Sequence, residues 1–405
     1  MRPPARPTTR PVRLVAALLA ATALAAACGD SSEVASPPPP PPPAQIAVSF
    51  ISPTAGDNVF DLGAAVPLRI GVSTSGAAAA NGTPVTLTLS PAASAGLTPP
   101  VPTTSGGVAA AELQGRSIGP LSLRASASST TATASDERTL YIRPAPEKLG
   151  VLVPAYFSAG ATSPWADLLS GANTSHPDVP MAAIVKPATG VDAKGLVTAP
   201  DTDLAADIAS FRALGTHRAL AYVATGAGSG ARSVADVKAV IDSYLTHYPM
   251  LDGFFLDEMA TGSDRLAFYR ELYLYIKGRA PALVVVGNPA AFPAAGYADP
   301  LAGAADVLVT YEGNAAGYQG LDPQPASTWV YAKPNNAQAM LVHSAASCTA
   351  MQQAVGSANR PRANTGWVFA SDQPVGAPWS ALPSYWIKLL ATVDALNQKR
   401  SLPAC

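Results

Sequence analysis

The stretch GFFLDEMA, residues 253–260, places two adjacent acids at the end of a run of bulky apolar residues. The part from Gly253 to Leu256 is typical of a strand that is buried on both faces, and such a strand should not carry charge. Asp257 and Glu258 therefore mark the point at which this strand leaves the core. Their position has to be explained by the fold around them.

Eight apolar runs alternate with helical segments after the hinge PAPEK (144–148). The runs are LGVLVPAY (149–156), MAAIVKP (181–187), RALAYVAT (218–225), LDGFFLDE (251–258), ALVVVGNP (282–289), DVLVTYE (306–312), TWVYAKP (328–334) and TGWVFASD (365–372). Amphipathic segments such as 203–214 and 233–248 lie between them. Eight buried strands with intervening helices predict an α/β fold of the (β/α)8 TIM-type barrel class over residues 149–405. A doubly wound open sheet is the alternative, which eight units fit less well.

Residues 45–144, which precede the barrel, have an all-β pattern of short alternating runs separated by Gly, Pro, Asn and Ser. About seven strands in about 100 residues predict a sandwich. The segments GTPVTLTL (82–89), GVAAAEL (107–113) and GPLSLRASAS (119–128) resemble a bacterial immunoglobulin-like domain of the invasin type. This region contains no cluster of chemical groups, so we expect a spacer or adhesive module.

The N-terminus is typical of an exported protein. Residues 1–27 combine four arginines with an apolar run and predict a lipoprotein-type signal peptide, after which Cys28 would carry the lipid. An ordinary cleaved signal peptide is the alternative. Residues 28–44 contain seven consecutive prolines and predict a stiff linker. We therefore expect a lipoprotein anchored to a membrane at the cell envelope or cell surface.

Charge and cysteine content narrow the function classes. A net charge of -1 with 13% charged residues provides no basic field for nucleic acid. Once Cys28 is lipidated, Cys348 and Cys405 remain as an even pair, and we predict a disulfide between them in an oxidising compartment. The four histidines have no metal-ligand spacing, so no metal and no other cofactor is expected. Protein partners are unknown from the sequence.

The barrel fold explains the position of these acids. In such barrels, the residues just past the carboxyl ends of the strands form the mouth, where active sites are built. Asp257 and Glu258 follow the fourth run and Glu312 ends the sixth, so we expect these side chains to converge. Convergent carboxylates suit glycoside hydrolysis, in which one protonates the leaving oxygen and another acts as nucleophile or base. The structural alternative is that Asp257 caps the next helix and Glu312 pairs with Lys333.

At these residues the chain resembles a known family. The segments VPAYF, SHPDVPMAAIVKPATG, LAYVATGAG, DGFFLDE, VVVGNPA, DVLVTYEG and GWVFASD occur in the order and spacing of the spherulin-4-like (spherulation-specific family 4) proteins, which include glycoside hydrolase family 135. The resemblance covers about residues 149–395. It implies an endo-acting hydrolase of α-1,4-linked galactosamine or N-acetylgalactosamine polymers, with a polysaccharide as its partner and with Asp257, Glu258 and Glu312 as the catalytic acids.

Seven residues are predicted to bind the substrate: Tyr156, Lys186, Tyr222, Asn288, Tyr311, Lys333 and Trp367. The resemblance implies the roles of Tyr156 and Asn288, whereas Lys186 departs from the asparagine that the family usually has there. Ala227 stands where the family usually has an aromatic residue. Trp367 suits either stacking on a sugar or packing inside the barrel.

We expect Glu312 and Asp257 to act as a pair with Glu258 assisting, and the configuration to be retained, which requires carboxyl groups about 5–5.5 Å apart. Which acid donates the proton is left open. The rival hypothesis, supported by the departures at Lys186 and Ala227, is a non-catalytic surface protein whose barrel binds glycan or supports adhesion.

Overall fold

A computed structural model describes residues 45–405, which form two β-sheets followed by a closed barrel. The predicted signal peptide, the lipidation site Cys28 and the proline-rich linker lie outside the described residues. No helix in the described part of the chain is long and apolar enough to cross a membrane.

The region before the barrel consists of two facing sheets. Its strands are β1 (Ile46–Ser52), β2 (Val59–Asp61), β3 (Ala65–Thr74), β4 (Ala77–Ala78), β5 (Thr86–Ser90), β6 (Ala95–Thr98), β7 (Thr104–Ser105), β8 (Val108–Gly115), β9 (Gly119–Ser128) and β10 (Thr133–Arg143). One sheet has the order β1-β3-β8-β6, with β4 paired to β3 and β7 paired to β8; the other has the order β2-β10-β9-β5.

Alternating side chains hold these sheets together. On β3, Leu68 and Ile70 are buried while Arg69 between them is exposed, and on β9 Leu121 and Leu123 are buried on either side of the half-buried Ser122. The four side chains belong to one apolar core between the sheets, as the period-two pattern predicts. The immunoglobulin-like assignment of this sandwich stays a prediction, as do the domain limits.

The predicted (β/α)8 barrel is confirmed. Its parallel strands close in chain order: β11 (Gly150–Ala155), β12 (Met181–Val185), β13 (Arg218–Ala224), β14 (Gly253–Asp257), β15 (Val284–Gly287), β16 (Val307–Asn314), β17 (Gln338–His343) and β18 (Trp367–Ala370). The α-helices are α1 (Pro164–Ser170), α2 (Thr202–Phe211), α3 (Val234–His247), α4 (Leu266–Arg279), α5 (Ala315–Gln319), α6 (Cys348–Ala358) and α7 (Trp386–Asn397). Other short helices span Ala92–Ser94, Gly171–Ser175, Gly226–Gly228, Ser263–Arg265, Ala295–Ala298, Thr328–Ala332 and Asn335–Ala337.

The longer helices form where the sequence supplies both a cap and an apolar stripe. Helix α3 begins with a capping box, in which the Ser233 hydroxyl accepts from the Asp236 amide and the Asp236 carboxylate accepts from the Ser233 amide. Val237, Ile241 and Tyr244 recur at helical spacing and are buried against the barrel.

The seventh strand lies elsewhere than the sequence pattern predicts. The run TWVYAKP (328–334) forms a 3-10 helix over most of its length, and the strand is β17, which follows it. Val330 and Tyr331 are buried, but they form a small apolar cluster with Val59 of the sandwich. The run is apolar because it contacts the sandwich, which explains why its composition imitates that of a barrel strand.

Two arginines join the sandwich to the barrel. Arg143 is 4% exposed and donates to Asp61 at 2.7 Å and to Asn364 of the barrel at 3.1 Å. Arg362 of the barrel donates to the side-chain oxygen of Asn58 at 2.9 Å. At the other end of the chain, a disulfide between Cys348 and Cys405 ties the C-terminus to the start of α6.

Candidate active site

Three acids and one amide surround a cavity at the carboxyl ends of β14, β15 and β16. Asp257 ends β14 and Glu258 follows it, Asn288 follows β15, and Glu312 lies in the last half of β16. The cavity has a volume of about 480 Å³. Its lining residues are Ala227, Asp257, Glu258, Met259, Asn288, Pro289, Ala290, Glu312, His343, Val375 and Pro378.

Asn288 connects the acids of two strands. Its side-chain nitrogen donates to Asp257 Oδ1 at 2.7 Å and to Glu312 Oε2 at 2.5 Å. Its side-chain oxygen accepts from the Ala290 amide at 3.1 Å, which sets the orientation of the amide group. Two oxygens that share one nitrogen at these distances cannot be more than about 5.2 Å apart, and about 4.5 Å separates them when the N–H bonds diverge by about 120°.

The remaining oxygens of both carboxylates also accept hydrogen bonds. The Tyr222 hydroxyl donates to Asp257 Oδ2 at 2.8 Å, and Trp379 Nε1 donates to Glu312 Oε1 at 3.0 Å. Each acid is thus held from two sides, which fixes both carboxyl planes. The structural alternative, in which Asp257 caps a helix and Glu312 pairs with Lys333, does not match these partners.

Glu258 lines the same cavity as Asp257 because the chain turns sharply between them. Its φ of +56° lies in the left-handed region, which is costly for a residue other than glycine. The Glu258 carbonyl accepts from Tyr269 and Thr225, both at 3.2 Å. Its carboxylate Oε2 accepts from the Gly226 amide at 2.9 Å. These contacts stabilise the turn that brings neighbouring acids to one cavity.

Two more predicted residues lie beside this group. The Tyr156 ring meets the Tyr222 ring edge to face at 5.4 Å, and Lys186 Nζ lies 5.0 Å from the centre of the Tyr222 ring. Burial, followed by the charge of Asp257, raises the pKa of Tyr156 and of Tyr222 well above the usual value for a tyrosine. Tyr222 therefore stays protonated and keeps donating to Asp257 throughout the neutral range.

Three predicted substrate-binding residues lie away from the group of acids. The Tyr311 ring packs on Tyr318 and its hydroxyl donates to the Asn314 carbonyl at 2.7 Å, because alternation along β16 turns it away from Glu312. Trp367 is the first residue of β18 and so lies at the amino end of the barrel. Lys333 precedes β17 and lies at that end too. Its prediction depended on the misplaced seventh strand.

Sequence reasoning missed several residues that shape the site. Trp379, which donates to Glu312, lies in the loop after β18, and its ring is 6.0 Å from that of His343. His343 ends β17 and was missed because that strand was misplaced. A tryptophan in the loop after the last strand was an available signal, since such loops carry functional residues. Thr225 and Tyr269, both fully buried, give no such signal.

Fold and site together define a (β/α)8 barrel with carboxylates grouped at its carboxyl-terminal mouth. The family model described as spherulation-specific family 4 matches residues 150–393, which is more than half of the chain. The chain belongs to this family. The match covers all eight barrel strands and every residue of the carboxylate group.

Two known proteins show how far the similarity extends. Spherulin-4 of Physarum polycephalum is 33% identical over 151 residues, which are 37% of this chain and 42% of that protein. The chain thus spans less than half the length of this curated relative. The crystal structure of Aspergillus clavatus Sph3 in complex with GalNAc aligns with a TM-score of 0.50 and 22% identity, over 61% of this chain and 97% of that one. This likeness supports the fold.

Proposed function

We propose that the barrel is an endo-acting glycoside hydrolase that cleaves α-1,4-linked galactosamine or N-acetylgalactosamine in exopolysaccharide. One observation carries the proposal: Asn288 holds oxygens of Asp257 and Glu312 within about 5.2 Å of each other at an open cavity. Retaining glycosidases place their carboxyl groups about 5–5.5 Å apart, whereas inverting enzymes need about 6.5–9.5 Å. The short spacing therefore favours retention.

In this mechanism one carboxyl group protonates the glycosidic oxygen and the other attacks the anomeric carbon. The first group then removes a proton from the water that releases the sugar. We assign these two roles to Asp257 and Glu312 as a pair. Asn288, Tyr222 and Trp379 preorganise their oxygens.

Glu258 is assigned an assisting role. Among residues 45–405 its Oε1 accepts no hydrogen bond, and its side chain is exposed in the cavity. It can therefore reach a sugar hydroxyl or amide without first breaking an internal contact.

Lys186 favours an acetylated form of the polymer. It is exposed beside the mouth, and within residues 45–405 its ammonium group contacts the Tyr222 ring and forms no ion pair. A free amino sugar would bring a second positive charge toward it, which costs free energy at short range. The N-acetylated residue is neutral, and GalNAc is the sugar named in the Sph3 complex.

The location follows from the N-terminal sequence. We propose that the protein is exported and anchored through a lipid on Cys28, with the proline-rich segment and the sandwich as spacers. The barrel would then meet polysaccharide outside the cell.

The direct test is incubation of the purified chain with acetylated and deacetylated galactosamine polymers, followed by measurement of new reducing ends. Asp257→Asn and Glu312→Gln should each lower the rate by about 10³-fold or more while the circular dichroism spectrum is kept. Glu112→Gln, an exposed acid of the sandwich, is the matched control. Binding without cleavage by the unmodified protein would favour the rival glycan-binding hypothesis.

The stereochemical outcome provides a separate test of the pair. Proton NMR of the first product should show the α anomer if the configuration is retained. A β anomer would rule out a direct nucleophilic role for either acid at this spacing.

A further inference from the structure

A second cavity opens at the amino end of the barrel, on the opposite side from the carboxylates. Its volume is about 690 Å³, within the range of about 300–1,000 Å³ that is typical of small-molecule sites. Leu152, Ala182, Leu220 and Val286 line its inner part, and all four belong to barrel strands. The inner part of the cavity is therefore apolar.

Trp367 forms one wall of this cavity and is held in place. Its Nε1 donates to the Asn336 carbonyl at 3.1 Å. Its ring lies against Gly150, where a Cβ would come within 2.6 Å of two ring carbons. The ring remains partly exposed. A fixed, partly exposed indole offers a flat surface on which a planar apolar group can pack.

The rim of this cavity has a surplus of unpaired positive charge. Lys277 and Asp306 neutralise each other at 2.7 Å. Arg218, Lys148 and Glu147 also line the cavity and are exposed, and the charged group of none of them forms an ion pair or a hydrogen bond within residues 45–405. Two free cations thus face one free acid. A guanidinium group binds a carboxylate through two parallel hydrogen bonds, which singles out Arg218.

We propose that this cavity binds a small organic anion with a planar apolar body and one carboxylate, such as an aromatic carboxylate. The body would pack between Trp367 and the apolar inner part, and the carboxylate would bind Arg218. A neutral sugar is a poor fit, because the inner side chains Leu152, Leu220 and Val286 offer it no hydrogen bonds. The proposal is independent of glycosidase activity at the mouth.

The probe is 2-naphthoate, titrated calorimetrically into the full chain at low salt. Arg218→Gln should weaken its binding by about tenfold or more, since a hydrogen bond to a charged group is lost. Arg69→Gln is the matched control, because Arg69 is also an exposed strand arginine with no partner within residues 45–405. The neutral analogue 2-naphthalenemethanol should bind the unmodified protein at least tenfold more weakly. Trp367→Leu should also weaken the binding of 2-naphthoate.

The location is tested with a variant at the other end of the barrel. Asp257→Asn should bind 2-naphthoate as the unmodified protein does, and a loss there would place the ligand at the mouth and overturn the proposal. Equal affinity of Arg218→Gln and the unmodified protein would overturn it too, as would the absence of binding at millimolar concentration. The proposal would also be overturned if N-acetylgalactosamine bound more tightly than 2-naphthoate and this binding were lost in Arg218→Gln. The ligand of the cavity would then be a sugar and not an organic anion.

Discussion

One amide, that of Asn288, contacts both acids of the proposed pair. Asn288→Ala should leave two facing carboxylates without their shared donor, and we expect kcat on the polymer to fall by about 10²-fold, as when a preorganised donor is removed elsewhere. Asn288→Asp should lower kcat further, because it places a third negative charge between the two carboxylates. Steady-state kinetics measures both effects, with the exposed Asn359→Ala as control. Unchanged kcat in both variants would refute the bridging role.

A buried histidine links stability to pH. His217 is 2% exposed, stacks on Phe211 and bonds the Ala172 carbonyl through Nε2 at 3.1 Å. Burial lowers its pKa, and the bond to Ala172 offsets this in part. The unfolded chain therefore binds a proton first as the pH falls. The contribution of His217 to the free energy of unfolding is therefore fully present above about pH 6.5. Below that pH it decreases, by at most about 1.4 kcal/mol per pH unit.

His217→Gln should flatten this decrease, because glutamine does not titrate and can still donate to Ala172. Urea unfolding at pH 8, 7, 6 and 5 measures the slope. His176, whose pKa burial also lowers, leaves a residual slope in the variant. Between pH 7.5 and 8.5 the free energy of unfolding should depend on pH in the same way in the variant and in the unmodified protein. An unaltered slope below pH 6.5 would contradict the assignment.

Residues at strand ends could be assigned to the site from the sequence, whereas the contacts that loop residues make there could not. Asp257, Glu312 and Asn288 each follow or end an apolar run, so their common location follows once the barrel is recognised. Trp379 reaches Glu312 from 67 positions along the chain. Nothing in its local pattern specifies the path of that loop.

Among the elements, helix α4 supports the turn after β14 through one hydroxyl. Tyr269 of this helix is fully buried. Its hydroxyl also accepts from the Ala260 amide at 3.0 Å and donates to the Glu258 carbonyl at 3.2 Å. The helix thus holds Glu258 in its left-handed conformation.

Tyr269→Phe should therefore affect both stability and activity. The half-buried Ala260 amide loses its partner, and we expect a loss of about 1–2 kcal/mol in the free energy of unfolding. Glu258 should become more mobile, which should raise KM more than it lowers kcat if this acid assists binding. Tyr275→Phe, on the same helix but away from the cavity, is the control. A variant as stable and active as the unmodified protein would show that the hydroxyl has no positioning role.

Period and composition are sufficient to predict seven of the barrel strands but not β17. The run 328–334 is rich in aromatic and branched residues, whereas QAMLVH (338–343) contains glutamine and methionine. Gln338 is nonetheless fully buried. Its side-chain nitrogen donates to the Asn364 carbonyl at 2.7 Å, and this hydrogen bond offsets the cost of burying the amide. A strand that contains a buried polar residue with a distant hydrogen-bond partner cannot be predicted from hydrophobicity alone.

At the scale of the whole molecule, the sandwich and the barrel share a polar and apolar junction. Arg143 and Asn364 are 221 positions apart in the sequence, and both are buried. Tyr141 of β10 packs on Tyr331 with ring centres 4.9 Å apart. Such contacts depend on how two folded units meet. The sequence could therefore predict each unit but not the surface between them.

This junction should make the two units unfold together. Arg143→Met removes the hydrogen bonds to Asp61 and Asn364, and leaves the buried Asn364 oxygen without its donor. We expect a loss of about 1–3 kcal/mol in the free energy of unfolding, the cost typical of leaving a buried acceptor without its hydrogen bond. In scanning calorimetry the unmodified protein should show one transition. In Arg143→Met the sandwich should melt first and the barrel later, while the mouth stays intact and polymer cleavage at 25 °C is unchanged.

Arg69→Gln, within the sandwich, should keep the single transition. If Arg143→Met also melts in one step at the original temperature, the junction does not couple the units.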